Sequence, residues 1–97
     1  VFRHVALFRF TEESTPDQRQ AMVTALLTLP GQLPVIRAYD IALDAGLVEG
    51  NWDASVVADF DDEDGWRTYT ADPEHQRIIA ELIKPILADR AAVQIER

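Results

Sequence analysis

Residues 2–10, FRHVALFRF, alternate along the chain, so that Phe2, His4, Ala6, Phe8 and Phe10 share one face and Arg3, Val5, Leu7 and Arg9 the other. The spacing predicts a strand. Because Val5 and Leu7 lie opposite an aromatic stripe, the strand has two apolar faces and each needs a cover. Thr15-Pro16-Asp17-Gln18 then reads as a helix start, with Thr15 at the N-cap, Pro16 at the first helical position and Gln18 reaching back as in a capping box. Met22, Val23, Leu26, Leu27 and Leu29 form the apolar stripe of that helix, which Pro30-Gly31 stops.

Alternation returns over residues 35–44 (VIRAYDIALD), a second strand, and over Ala54 to Phe60, a third. The intervening AGLVEGN, with two glycines and an asparagine, suits a hairpin loop, so these two strands should pair antiparallel. An acidic run from Asp59 to Asp64 leads into a short helix carrying Trp66 and Tyr69. Asp72-Pro73 opens a longer helix whose stripe is Ile78, Ile79, Leu82, Ile83 and Ile86, with Pro85 expected to kink or end it. Residues 91–96, AAVQIE, supply a closing strand.

This order predicts one α+β domain over residues 1–97, of the ferredoxin-like β-α-β-β-α-β type: a four-stranded antiparallel sheet with its helices on one face. The helix-free face, bearing Val5 and Leu7, is most simply covered by the same face of a second copy about a two-fold axis. A homodimer is therefore expected.

Composition narrows the partners. A formal charge of -8 repels phosphate backbones and anionic headgroups, and no apolar run is long enough to span a bilayer, so neither nucleic acid nor membrane is an expected partner. The absence of cysteine removes thiol catalysis, disulfides and thiolate metal sites, and accords with a cytoplasmic protein. The first residues read as a strand, and no leader pattern is expected among them. Glycine-rich phosphate loops, H-E-x-x-H and G-x-S-x-G are all missing, and the acidic run 59–64 fails the spacing of an EF-hand loop.

The residues with chemistry are few. His4 lies within an aromatic stripe and must find a hydrogen-bond partner or cost roughly 1–3 kcal/mol. From the residue alone it reads first as a core imidazole held by a backbone carbonyl or hydroxyl, and only second as a functional group. His75 is the third residue of the helix opening at Asp72-Pro73, where the positive helix end lowers its pKa and keeps it neutral near pH 7. Tyr69, just before the break, can donate or orient through its hydroxyl. A Tyr and a His at helix ends also serve as packing and capping groups, and Trp52 and Trp66 as edge packing.

The opening R-H-V-A-L-F-R-F strand and the later Y-T-A-D-P-E-H ahead of an Ile/Leu-rich helix together resemble the stress-responsive A/B barrel (Dabb) family. The resemblance spans the whole chain and implies a dimeric α+β barrel. In a plant member of the family, the polyketide cyclase that makes olivetolic acid, an equivalent first-strand His acts with the box Tyr and His in an aldol-type ring closure. By that resemblance His4, Tyr69 and His75 are the catalytic candidates and share one pocket. The cyclase has a further pocket histidine early in strand three, where this chain offers Ala54 or Ser55.

The expectation is a pocket between sheet and helices lined by Phe8, Phe10, Trp66 and Ile79, on the order of 300 Å³ or more if it is to bind or transform a ligand. His75 would be the base, Tyr69 would orient a carbonyl, and His4 would tune the pair. The implied ligand is a small hydrophobic carbonyl or phenolic compound, with no metal and no cofactor required for cyclase, isomerase or lyase chemistry. A non-catalytic stress-response or ligand-binding protein of the same fold is the alternative, its polar trio completing a core network. A monooxygenase of the wider dimeric barrel group ranks third.

Overall fold

A computed structural model describes all of residues 1–97. The first strand, β1 (Phe2–Phe10), alternates buried and half-buried positions without a break, the buried set being the aromatic stripe with His4. Helix α1 (Pro16–Leu26) starts as its sequence dictates: Thr15 Oγ1 accepts from the Gln18 amide, and the Gln18 side chain accepts from the Thr15 amide. Met22, Val23 and Leu26 bury its inner face, and Leu29 packs from a short 3-10 turn after it.

Strand β2 runs only from Ala38 to Leu43, shorter than the alternation over 35–44 implies. Leu33-Pro34 sets the reason. The Ile36 amide turns back onto the Leu33 carbonyl at 3.1 Å, so residues 34–36 form a turn before Arg37 reaches the Asp59 carbonyl. Ile36 still enters the core. Strand β3 (Ala54–Phe60) follows a loop in which Gly46 and Gly50 take φ of 76° and 90°, the region that glycine reaches without strain.

Helix α2 (Glu63–Ala71) is capped by Asp62, which accepts from the Gly65 amide. The acidic run is thereby dispersed: Asp59 pairs with Arg3, Asp61 with Arg37, and Asp62 caps. The expected single long helix from Pro73 is three pieces. α3 spans Pro73–Ile78, a π-helical turn spans Ile79–Ile83, and a 3-10 turn spans Lys84–Ile86. Pro85 cannot donate to an i−4 carbonyl, and the helix loosens ahead of it, the Lys84 amide reaching back to Ile79. The register change buries Ile78, Ile83 and Ile86 and leaves Ile79 and Leu82 half-buried, so the core stripe is narrower than periodicity predicts.

Strand β4 (Leu87–Glu96) begins directly after the proline turn, earlier than the 91–96 expected, since Leu87-Ala88-Asp89-Arg90 carries little strand signal of its own. The sheet is antiparallel in the order β2-β3-β1-β4. All helices lie on the face that buries His4, Ala6, Phe8, Val56 and Ala58. The architecture is the ferredoxin-like α+β one predicted. No helix is long and apolar enough to cross a membrane.

Candidate functional site

One row across the sheet sets the site. Tyr39 of β2, Ala58 of β3, His4 of β1 and Gln94 of β4 are successive ladder partners, all on the helix-covered face. Ala58, fully buried and small, leaves room above the sheet for the rings on either side. Into that room α2 lowers Tyr69 and Trp66, and α3 lowers His75.

The break between α2 and α3 positions the last two residues. Asp72 ends α2 and caps α3, its carboxylate accepting from the His75 amide at 2.9 Å, with Pro73 at the first helical position. That turn brings the His75 imidazole back over Tyr69. The rings stack with centroids 4.1 Å apart and planes 26° apart. His75 Nδ1 lies 2.9 Å from the Tyr69 carbonyl oxygen, a helix-end acceptor, and must therefore carry the proton of the neutral ring. Nε2 of His75 is left with its lone pair.

His4 has the opposite polarity. Its Nδ1 lies 2.9 Å from Gln94 Nε2, and an amide NH2 only donates, so Nδ1 accepts and Nε2 bears the proton. Neither Nε2 makes a hydrogen bond within the protein. Neither is sealed, because no buried side-chain nitrogen or oxygen lacks a partner. Both open onto a cavity of about 230 Å³ that their residues line together with Tyr69, Trp66, Phe8 and Ile79. The His4 ring centroid is 6.3 Å from that of Tyr69 and 6.3 Å from that of Trp66.

The structure thus brings His4, Tyr69, His75, Phe8, Trp66 and Ile79 to one cavity, as expected, but not Phe10. Two residues along β1 from Phe8, Phe10 is buried beyond the cavity, where the Arg19 guanidinium covers its ring at 5.0 Å. The cavity is also smaller than the 300 Å³ expected. Ala54, at the strand-three position where the resemblance places a further histidine, faces the helices opposite Phe8, while Ser55 points to the other side.

Burial is the main influence on both imidazoles. It lowers His4 to about 4, helped by the charges of Arg90 and His75. It also lowers His75, against the opposing hydrogen bond to the Tyr69 carbonyl and the charge of Asp72. The direction for His75 is the one expected from the helix start, but desolvation rather than the helix dipole is its largest cause. Both rings are neutral near pH 7. Burial raises Tyr69, a shift eased by the Tyr39 hydroxyl and by Arg90.

Four contributors escape sequence reading. Tyr39 Oη is 2.8 Å from Tyr69 Oη and anchors it. Gln94 fixes the His4 tautomer. Arg90 and Lys84 line the exposed side of the cavity. Only strand register reveals the first two, and register was not legible in one strand at a time. No group of three or more His, Cys, Asp or Glu side chains converges to hold a metal ion.

The fold recurs in solved structures. A dimeric ferredoxin-like protein of unknown function from Thermobifida fusca superposes with a TM-score of 0.90 at 47% identity, covering 99% of this chain and 90% of that one. A Dabb family protein from Mesorhizobium loti gives a TM-score of 0.81 at 10% identity, covering 99% and 95%. The hydroxynitrile lyase of Passiflora edulis gives 0.83 at 12% identity, covering 97% and 90%, and shares the fold alone. Among curated proteins none is similar enough in sequence to match. The family model for the stress-responsive A/B barrel domain matches residues 2–96, so this chain, with its first-strand His4 and its Tyr69-to-His75 turn, belongs to the Dabb family.

Proposed function

We propose that the cavity is the active site of an acid–base enzyme that removes a proton next to the carbonyl of a small hydrophobic substrate. The observation that carries this reading is the opposed proton polarity of the two imidazoles: His75 Nε2 presents a lone pair and His4 Nε2 presents N–H, both to one apolar cavity. A base and a hydrogen-bond donor at opposite sides of a carbonyl are the two groups that enolate formation requires.

In this mechanism His75 Nε2 takes the proton from the carbon beside the carbonyl. The electron pair of that C–H bond moves to the carbonyl oxygen, whose developing charge accepts a hydrogen bond from His4 Nε2–H. Tyr69 accepts a hydrogen bond from the Tyr39 hydroxyl and turns its own O–H toward the same oxygen. Low pKa values suit both imidazoles to these roles, since a protonated His75 is no base. The enolate then reacts onward in a cyclisation, isomerisation or carbon–carbon cleavage. Size agrees with a small substrate. A cavity of roughly 150 Å³ takes benzene, and the same packing gives this one about nine heavy atoms.

The helix-free sheet face supports a homodimer. Val57, Val5 and Val93 form one apolar row across three strands, and the small residues Ser55 and Ala91 flank Leu7 in the next. Val93 is 51% exposed in the single chain. A second copy laid face to face covers both rows.

Acetophenone in D2O tests the catalytic reading, with loss of its methyl proton signal followed by NMR. Saturable acceleration that disappears in His75→Asn is expected. Equal exchange with and without the protein, across acetophenone and ring-substituted analogues, overturns it.

A further inference from the structure

The charge at the mouth of the cavity runs against the charge of the chain. The protein has 17 acidic and 9 basic residues, yet no carboxylate lines the cavity, and two of its lining residues are Lys84 and Arg90. Both are exposed, and neither takes part in any of the ion pairs, which engage Arg3, Arg37, Arg67 and Arg77. In so acidic a protein, two cations left without carboxylate partners at the edge of an apolar cavity form an anion-attracting rim.

A backbone irregularity decides which charge stands there. Leu87 is opposite Phe10, and regular pairing would put Asp89 opposite Phe8, on the helix-covered face. Instead the register shifts between Arg9 and Phe10: Asp89 falls opposite Arg9 and Arg90 opposite Phe8. The extra residue, Ala88, is a β-bulge that turns a carboxylate away from the cavity and a guanidinium toward it. Without that bulge a carboxylate rather than a guanidinium would stand beside Lys84.

Arg90 is also set at a distance from the imidazoles. It stands four residues from Gln94, the partner of His4, which is about 13 Å of strand. Its charge is nonetheless felt at His4, His75 and Tyr69. One ligand reaching from the histidines to Arg90 must therefore carry its anion across an apolar body from its reacting end. A guanidinium fork matches a carboxylate in two parallel hydrogen bonds, with the Lys84 ammonium as a second point charge.

We propose that the ligand is a small aromatic or similarly compact monocarboxylate, its apolar body among Phe8, Trp66 and Ile79 and its carboxylate held at the mouth by Arg90 and Lys84. This rests on the cavity being the ligand site.

The test compares 4-acetylbenzoate, its uncharged analogue 4-acetylbenzamide, and 4-acetylphenyl phosphate. Binding is read from the Trp66 indole signal in NMR, and methyl proton exchange is read in the same samples. The acetylbenzoate is expected to bind at least about tenfold more tightly than the amide. Arg90→Gln should bring the two together, Arg90→Lys should restore part of the difference, and Lys84→Gln should remove a smaller share. Equal affinity of acid and amide in the native protein, with exchange still catalysed, overturns the carboxylate proposal and leaves the cavity reading intact. Tighter binding of the phosphate overturns the carboxylate class. If none of the three moves the Trp66 signal or exchanges its protons, the proposal and the cavity reading fall together.

Discussion

Gln94 and His4 face each other across the β1–β4 ladder, and the Gln94 amide donates to His4 Nδ1 over 2.9 Å. This one hydrogen bond fixes which imidazole nitrogen points a proton into the cavity. Gln94→Glu replaces a donor by an acceptor of the same length. The carboxylate then requires Nδ1 to carry the proton, so Nε2 exchanges N–H for a lone pair, and the adjacent negative charge raises the His4 pKa from about 4. Imidazole 15N shifts should show the swap, with turnover falling because the donor to the carbonyl oxygen is gone. A neutral His4 ring in Gln94→Glu that still carries its proton on Nε2 and none on Nδ1 would contradict the polarity on which the mechanism depends.

His75 has two duties that can be separated. Its Nδ1–H satisfies the Tyr69 carbonyl, and its Nε2 is the proposed base. His75→Ala removes both and leaves a buried carbonyl one partner short, at a cost of about 1–3 kcal/mol. His75→Asn places an amide NH2 near the former Nδ1 and no base beyond it. Its unfolding free energy should stay within about 1 kcal/mol of the native value, while proton exchange falls by about 10²-fold or more. Equal losses of stability in the two variants would show that the asparagine does not reach the carbonyl.

The difference between what the chain shows in one dimension and in three is instructive at these residues. Thr15, Asp72 and Pro73 announce their helix starts because capping is local chemistry, settled within four residues. The β1 stripe is equally legible, since alternation needs no partner strand. Tyr39 and Gln94 are not: each acts through ladder register, a relation between segments distant in the chain. Arg90 is hidden more deeply, because a strand count without the Ala88 bulge assigns the cavity face to Asp89. The π-helical turn was hidden likewise. Periodicity at 3.6 residues keeps Ile79 and Leu82 in one stripe with Ile78, Ile83 and Ile86, and only the π-helical turn ahead of Pro85 leaves those two half-buried.

The buried histidines make stability depend on acid. His4 has a folded pKa of about 4 against an ordinary 6.5, and His75 is shifted in the same direction. Between those values the unfolded chain binds protons that the folded chain refuses, so the stability contributed by neutral His4 falls as pH drops from 6.5 toward 4 and is fully lost below. Discounted for the water that reaches the cavity side, the His4 share is about 2 kcal/mol. Urea denaturation at pH 7, 5.5 and 4.5 should show this decline, and His4→Phe, which continues the aromatic stripe, should flatten it by that share. An unchanged pH slope in His4→Phe would show that the ring titrates freely in the folded protein.

The helix-free face gives the last prediction. Val5 sits at the centre of the Val57–Val5–Val93 row, its side chain directed away from the core that Phe2, His4 and Ala6 enter. In a lone chain Val5→Glu would meet solvent there and cost little. In a face-to-face dimer the same substitution buries two carboxylates near the two-fold axis, each several kcal/mol to desolvate and repelling the other. A stable interface needs about 800 Å² from each copy, so a dimer through this face has to cover the central strand that carries Val5. Sedimentation velocity at micromolar concentration should therefore give a dimer for the native protein and a folded monomer for Val5→Glu. Identical sedimentation of the two would exclude this face as the interface, whatever the oligomeric state.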